Sequence, residues 1–217
     1  MTVSPAAARP TRSRVSSGIG IRRAHPAAWV LAILMIAFAI WFSLYSIRLH
    51  DAHLTHKADL GQMDIAIWNT AHGRFLQETL DGAISTRLTD HFEPIFALVA
   101  PIYWLWSDVR ALLILQAVCL ALGAWPIYLL ARHRLGKAGL GSAAPWGALA
   151  FAAAFLLAPA LEAPLVSDFH ALPLAVPLIG WALWTIERRQ WARFVLAALL
   201  IASVQEGLAL LTVMLGL

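Results

Sequence analysis

Long apolar runs alternate with short polar segments along most of the chain. A helix needs about 20 consecutive apolar residues to cross the hydrocarbon core of a bilayer. The first three runs reach that length, the fourth is shorter, and the fifth is long but has a polar pair near its middle. The pattern therefore predicts a series of membrane-spanning helices. The runs cover residues 27–47, 109–130, 142–161, 171–186 and 194–217.

The polar pair in the fifth run is Gln205-Glu206. A carboxylate at bilayer depth costs about 2.5–3.5 kcal/mol even on the most lenient insertion scale, which favours a break in the helix at this pair. We expect a short fifth helix over 194–204 and a sixth that begins at Leu208 and is cut off at Leu217. The predicted fold class is therefore an all-α integral membrane protein with about six transmembrane helices, the last one truncated. A truncated last helix predicts that the chain is an N-terminal fragment of a longer protein.

A further apolar segment, residues 92–106, has a different character. It is only 15 residues long, carries Pro94 and Pro101, and ends in aromatic residues. We interpret it as a juxtamembrane or re-entrant helix, because a full crossing here would move the later basic segments to the other side of the membrane. Residues 48–108 then form one large extracytoplasmic loop.

The basic residues predict an orientation for these helices. Eleven of the 16 Lys and Arg residues lie in residues 9–23, 132–137 and 188–193, which share one side of the membrane if the helices alternate. The positive-inside rule makes that side cytoplasmic. The sequence thus predicts a multi-pass plasma-membrane protein with a cytoplasmic N-terminus. Residues 1–24 are predicted to form a disordered basic tail, and residues 25–217 a single membrane domain.

Composition supports membrane insertion and argues against other classes. Apolar residues make up 60% of the chain, charged residues only 13%, and the mean hydropathy is +0.72, whereas a soluble domain has about 25% charged residues. A net charge of +4 without a basic, aromatic-lined groove does not indicate nucleic-acid binding. The single cysteine, Cys119, excludes an internal disulfide. Residues 27–47 exceed the apolar region of a signal peptide, and no A-x-A-like cleavage site follows them.

Histidines and an acid stand at the entrance of the predicted loop. His50, His53 and His56 recur at three-residue spacing, which fits a metal site or, as we favour, a solvated amphipathic face. Asp59 directly precedes Leu60 at a position suited to the N-cap of a helix. The same carboxylate is equally suited to the mouth of a membrane cavity, so the residues alone leave both roles open.

Five motifs follow one another at a distinctive spacing. They are DLGQMDIAIWNTAHG (59–73), DHFEPIFALVAPIYWLW (90–106), PIYLLAR (126–132), SDFHALPLAVPL (167–178) and VQEGLALL (204–211). In this order they resemble the predicted membrane protein family called domain of unknown function 2079 (DUF2079), from about Phe42 to the C-terminus. That family resembles the GT-C glycosyltransferases. The resemblance implies a first helix, a large outer loop with juxtamembrane helices, and further spans.

The resemblance also implies an activity, the transfer of a sugar from a polyprenyl-phosphate carrier to an extracytoplasmic acceptor. The implied partners are membrane lipid and the polyprenyl-phosphate-linked sugar. Asp59, in a D-x-G context with Gly61, would be the catalytic base for the acceptor hydroxyl. Arg74, Arg87 and Arg110 are the candidates for binding the phosphate leaving group, with snorkelling to lipid phosphate as the alternative. A divalent cation is the one cofactor left open, with no metal ligands assigned.

Polar residues on separate segments are predicted to reach the same extracytoplasmic face. Each is unfavourable beside lipid unless it lines a site, so their convergence is the strongest functional signal in the sequence. The candidates that line this site are Asp64, His91, Glu93, Asp168, His170 and Glu206.

The chain departs from its relatives around residue 206. Relatives commonly carry a lysine and a second acid there, where this chain has Gln205 and Gly207. The alternative function is therefore a non-catalytic membrane protein with a role in carrier-lipid binding, transport or assembly.

Overall fold

The computed structural model describes residues 25–55, 57–80 and 82–216, without the side chains of 57–59, 80 and 90. The tail predicted over residues 1–24 lies outside this range. The described chain is predominantly helical, as predicted. The helices are α1 (Pro26–Asp51), α2 (Lys57–Ala71), α3 (Arg87–Asp90), α4 (Phe96–Val99), α5 (Ile102–Leu105), α6 (Arg110–Leu122), α7 (Ala124–Lys137), α8 (Ala144–Leu156), α9 (Leu172–Glu187), α10 (Trp191–Ala202) and α11 (Glu206–Gly216).

Two helices are long and apolar enough to cross a membrane. One is α1, with 26 residues, and the other is the continuous 28-residue helix Arg110–Lys137 formed by α6 and α7. A third span is formed if Gly141–Leu156 and Pro159–Leu165, which meet at a bend of 50°, count as one broken span. The remaining apolar helices of the described chain, among them α9, α10 and α11, are shorter than a full crossing.

Helix α1 exposes apolar side chains on most of its surface. Trp29, Ile33, Ile36, Ile40 and Trp41 are each more than half exposed, and only 22% of the most apolar stretch of the helix is buried in the protein. A helix that is apolar all round and still exposed requires an apolar solvent. Lipid contact on the outward faces of α1 explains this pattern.

Glycines let the helices of the bundle approach one another closely. A Cβ atom on Gly180 of α9 would lie 2.4 Å from Cγ of Pro126 on α7. One on Gly123, at the junction of α6 and α7, would lie 2.6 Å from Cγ1 of Val176 on α9. Small residues at helix interfaces are typical of membrane proteins, where close backbone packing replaces the hydrophobic effect as the source of association.

One end of the bundle carries the non-helical segments and the surface elements. Asp51 at the end of α1 pairs with Arg110 at the start of α6, with 2.7 Å between Oδ1 and Nη2. The backbone N–H of Ile95 donates to the carbonyl of Ser203 in the α10–α11 connection at 2.9 Å. We call this the loop end, comprising Asp51 and residues 57–80, 82–110, 158–171 and 203–206.

The opposite end gathers basic residues. Glu187 at the end of α9 accepts from Arg134 at 2.5 Å and from Lys137 at 3.2 Å, both on the last turn of α7. The rings of His25 and Trp146, before α1 and at the start of α8, are 5.8 Å apart. We call this the basic end, comprising residues 25, 132–146 and 187–193. The two basic segments after α7 and α9 therefore meet at one end of the bundle.

The segment before α6 was predicted to form one juxtamembrane or re-entrant helix, and in the structure it forms two short helices. Two four-residue helices, α4 and α5, follow Pro94 and Pro101. Phe96 is fully buried, whereas Trp104 is 72% exposed. Exposed aromatic residues of this kind are characteristic of the interface between membrane and water.

Two details of the loop differ from the prediction. The loop contains a two-stranded antiparallel hairpin, β1 (Gln77–Leu80) with β2 (Ala83–Thr86), which the apolar pattern did not indicate. Helix α2 begins at Lys57, so Asp59 lies within its first turn and is not the N-cap.

The break near Gln205 is confirmed. Helix α10 ends at Ala202 and α11 begins at Glu206, which places the carboxylate in the first turn of a new helix. Acids are favourable there because the first backbone N–H groups of a helix carry a partial positive charge. The first of these helices begins at Trp191, three residues before the predicted start.

Candidate functional site

Helix α2 packs against several other segments of the loop end. Leu60, Met63 and Ile67 recur on one face of the helix and are buried in a single hydrophobic cluster. The same cluster contains Phe169, from the bend after α8, and Val204, from the α10–α11 connection. The candidate residues of these three segments are therefore held around one apolar core.

Asp64 lies on α2 beside the surface helix α5. Its Oδ1 accepts a short hydrogen bond from the hydroxyl of Tyr103. Burial raises the pKa of Asp64, which the Tyr103 bond partly opposes and the nearby Asp108 charge increases. Burial and the Asp64 carboxylate together raise the pKa of Tyr103, so the phenol stays a hydrogen-bond donor. Asp64 therefore combines a fixed orientation with a raised proton affinity, which suits acid–base work.

Asp59, predicted as the catalytic base, lies one and a half turns before Asp64 on the same helix. Its side chain is outside the described residues. Its role as base stays a prediction, and Asp64 is the acid of α2 whose surroundings the structure defines.

A buried ion pair links the hairpin to the start of the surface helices. Nε of Arg87 donates to Oε2 of Glu93 at 2.7 Å, and Nη1 donates to Oε1 of Gln62 at 3.2 Å. Glu78 on β1 places Oε2 3.6 Å from Nη1 of Arg87. The side chains of Arg87, Glu93 and Glu78 are each at most 3% exposed. Glu93 and Arg87 thus hold the loop together from within.

His91 and Glu206 join the segment before α4 to the first turn of α11. Nδ1 of His91 lies 3.3 Å from Oε1 of Glu206, and the backbone N–H of Phe92 donates to Oε2 at 3.1 Å. Both side chains are about half exposed, at 44% and 53%. Residues separated by 115 positions therefore form one polar pair at the surface of the loop end.

Asp168 and His170 form a second polar pair, in the non-helical segment before α9. Nδ1 of His170 lies 3.2 Å from Oδ1 of Asp168, whose side chain is 2% exposed. Two residues at this spacing do not share a helical face, so the contact depends on the irregular backbone of the segment, as expected. Within the described ranges, no group of three His, Cys, Asp or Glu side chains is placed to hold a metal ion.

Gln116 positions this second pair and was not predicted. It is fully buried in the middle of α6. Its Nε2 donates to the carbonyls of Pro164 and Asp168 at 3.1 and 2.9 Å, and its Oε1 accepts from the N–H of His170 at 3.1 Å. Backbone groups of a broken span need such partners because lipid supplies none. The signal in the sequence was an amide within an apolar run, which indicates a satisfied polar contact.

The other basic candidates lie at the surface of the loop end. Arg74 donates to Asn69 at 2.8 Å and lies over the ring of Trp68, 5.2 Å from its centre. Arg110 pairs with Asp51 and with Asp108. Both guanidinium groups are accessible, in contrast to that of Arg87.

Two of the three histidines near the end of α1, His50 and His53, lie within the described residues. His50 contacts the hydroxyl of Thr55 at 3.3 Å, and His53 is exposed with a φ of 59°. His56 lies outside the described residues. The contacts of His50 and His53 fit the solvated face that the sequence favoured.

Comparison with known proteins identifies the family. A search of curated proteins and a search of solved structures each found no match to the chain. The model of one family, described as predicted membrane protein (DUF2079), matches residues 49–217, a range that contains every candidate residue. By this match over most of its length, the chain belongs to the DUF2079 family of predicted membrane proteins.

Proposed function

We propose that the protein is a GT-C-like glycosyltransferase, or the N-terminal portion of one, that moves a sugar from a polyprenyl-phosphate carrier to an extracytoplasmic acceptor. The observation that carries the proposal is the convergence at the loop end. Asp64, the His91–Glu206 pair and the Asp168–His170 pair come from separate parts of the chain and surround one hydrophobic cluster. Polar groups gathered next to lipid in this way favour a site for an amphipathic substrate.

In this proposal the chain crosses the plasma membrane about six times, with its N-terminus in the cytoplasm. The arrangement of the bundle supports this topology. The segments assigned to the cytoplasm lie together at the basic end, and the segments assigned to the outside lie together at the loop end. Residues 1–24 would be a cytoplasmic tail and residues 25–217 one membrane domain. Helices α9, α10 and α11 are shorter than a full crossing. They would span the membrane together with loop-end segments that extend into the bilayer and complete the crossing.

The proposed step is an inverting displacement at the sugar carbon attached to phosphate. Asp59 accepts the proton of the acceptor hydroxyl as its oxygen forms the new bond to that carbon. The bond between the carbon and the phosphate oxygen breaks, and the phosphate leaves with the electron pair. Arg74 and Arg110 are the accessible candidates for binding the leaving group, and Arg110 would have to give up its pairs with Asp51 and Asp108 to do so. Asp64, five residues after Asp59 on α2, would line the same site.

Asp168 and His170, on either side of Phe169 in the cluster, would contact the carrier phosphate or sugar. Their donor types would also suit a divalent cation, but the described residues supply only these two at that position. A divalent cation stays open as a cofactor of this step, with no metal ligands assigned. Gln116 would keep the pair in place through its three bonds to the backbone.

The proposal is tested by sugar transfer from a labelled polyprenyl-phosphate sugar, catalysed by the intact gene product in membranes. Asp59→Asn is expected to lower the rate by about 10²–10⁴-fold, the usual contribution of a general base. Glu162→Gln is the matched control, because Glu162 is an exposed acid of the loop end outside the cluster. Full activity of Asp59→Asn would show that Asp59 is not the catalytic base.

A non-catalytic role in carrier-lipid binding, transport or assembly is the second candidate. The observation that favours it is the burial of Arg87 against Glu93, which takes one of the three candidate cations away from a phosphate. The same membranes distinguish the two functions. Binding of the carrier lipid without any transfer would support the second.

A further inference from the structure

We propose that the basic end carries a binding site for the phosphodiester headgroup of an acidic glycerophospholipid. A cavity of about 450 Å³ lies there between α7 and α9. That volume is in the usual range for small-molecule sites, about 300–1,000 Å³. Basic pockets between membrane helices on the cytoplasmic side suit anionic headgroups. The residues that line the cavity are Leu129, Arg132, His133, Gly136, Lys137 and Trp184.

The charges around the cavity are unbalanced in favour of an anion. Glu187 is the carboxylate on the nearby end of α9, and it is approached by Arg134 at 2.5 Å, Lys137 at 3.2 Å and His133 at 3.5 Å. One negative charge thus meets two cationic side chains and the ring of a histidine. Arg132 lines the cavity and forms no ion pair with any carboxylate in the described part of the chain. Its guanidinium is the group we expect to bind the phosphate, through two parallel N–H bonds.

Trp184 gives the cavity an aromatic wall. The guanidinium of Arg188 lies over its ring at 5.6 Å, and the ring of His133 meets it edge-on at 5.8 Å. Tryptophan is typical of the headgroup level of a bilayer. The aromatic wall therefore favours a position of the cavity at the level of the lipid phosphates.

The apolar part of the lining favours a lipid over a soluble anion. Leu129 and Trp184 offer packing surface to a glycerol backbone and the first methylenes of acyl chains, whereas inorganic phosphate would gain nothing from them. The C-terminal end of α7 carries a partial negative charge that opposes an anion. The clustered cations outweigh this end effect, which acts only within the last turn.

The positive-inside rule explains why basic residues gather at this end of the bundle. It does not explain why some of them line the same cavity. A general attraction to acidic lipid predicts that every cation at the basic end counts equally. A built site predicts that Arg132 and Lys137 count far more than Arg189 and Arg193, which lie at the same end and do not line the cavity. The site is independent of the transferase proposal, which concerns the loop end.

The experiment measures binding of labelled dioctanoyl phosphatidylglycerol to the full chain in a neutral detergent. We expect saturable binding that unlabelled dioctanoyl phosphatidylcholine does not displace. The double variant Arg132→Gln/Lys137→Gln is expected to bind about 30-fold more weakly, from about 1 kcal/mol for each basic residue. The control Arg189→Gln/Arg193→Gln removes the same number of charges and should stay within about 3-fold of wild type.

Folding of each variant is checked by circular dichroism and gel filtration. Arg132→Lys, which keeps the charge, guards against a fold defect and should retain binding within about 5-fold. Equal losses in the two double variants would replace the site with a general charge effect and overturn the proposal. Displacement of the lipid by inorganic phosphate at an equal concentration would overturn it in favour of a soluble anion.

Discussion

Replacing Gln116 by leucine tests whether one amide holds the broken third span. The Gln116 side chain makes three hydrogen bonds, to the carbonyls of Pro164 and Asp168 and to the N–H of His170. Leucine has a similar size and is apolar, so the main change is the loss of these bonds. A hydrogen bond between helices of a membrane protein contributes about 0.6 kcal/mol on average and about 1.7 kcal/mol at most. The expected loss in the free energy of unfolding is therefore about 2–5 kcal/mol.

The assay is a denaturing-detergent titration of the purified full chain, followed by tryptophan fluorescence. Gln190→Leu is the matched control, since Gln190 accepts one bond from Arg193 at the surface of the basic end. That control should change the free energy of unfolding by no more than about 0.5 kcal/mol. A Gln116→Leu protein as stable as the control would mean that the three backbone groups are satisfied without the amide, and that Gln116 does not hold this segment.

Packing, a buried ion pair and one acid can each be tested by a single substitution. Gly180→Ala should destabilise the protein by about 1–3 kcal/mol in the same titration, because the new Cβ would lie 2.4 Å from Pro126 Cγ. Arg87→Met should cost about 3–5 kcal/mol, because it leaves the buried Glu93 carboxylate without its guanidinium. Asp64 has a pKa raised above its ordinary value of 3.8, so its contribution to stability is fully present below pH 3.8 and is lost as pH rises through the folded-state pKa. Asp64→Asn should remove that decline from unfolding titrations repeated over a pH series.

Each of these three has its own control or contrary result. Gly207→Ala, where no atom lies within 4 Å of the new Cβ, should leave the packing unchanged. A stable Arg87→Met protein would mean that Glu93 becomes protonated or hydrated at little cost. An unchanged pH profile in Asp64→Asn would assign the decline to another group.

The first long span and the break at Glu206 were predictable, because bilayer thickness sets the length of a span and a carboxylate is unfavourable inside it. The count of about six spans is not confirmed, since the described chain has two helices long enough to cross, or three with the bent pair. The apolar run 27–47 became α1, and Glu206 interrupted the last run near the expected residue. Both follow from local sequence and the energetics of the bilayer alone. The lengths of the later helices were less predictable, because tertiary contacts at the loop end allow them to be shorter than a bilayer.

The interior of the loop end was less predictable because its contacts join residues far apart in the chain. The hairpin did have a local signal, the Asp81-Gly82 dipeptide typical of tight two-residue turns. The buried pair of Arg87 with Glu93 had none, since a charged residue in a polar loop normally indicates a solvated side chain. Gln116 showed as a polar residue in a span, but its partners across the bend could not be read from spacing.

Asp168→Asn provides the most direct test of the central claim, that separate segments of the loop end form one transferase site. Asp168 lies in a different segment from Asp59, more than 100 residues along the chain. The measurement is the initial rate of sugar transfer from the labelled polyprenyl-phosphate carrier by folded Asp168→Asn protein, beside Asp59→Asn and the control Glu162→Gln. We expect both aspartate variants to lose at least about 10-fold in rate, while the control keeps the wild-type rate. Wild-type rates in both aspartate variants would contradict the claim.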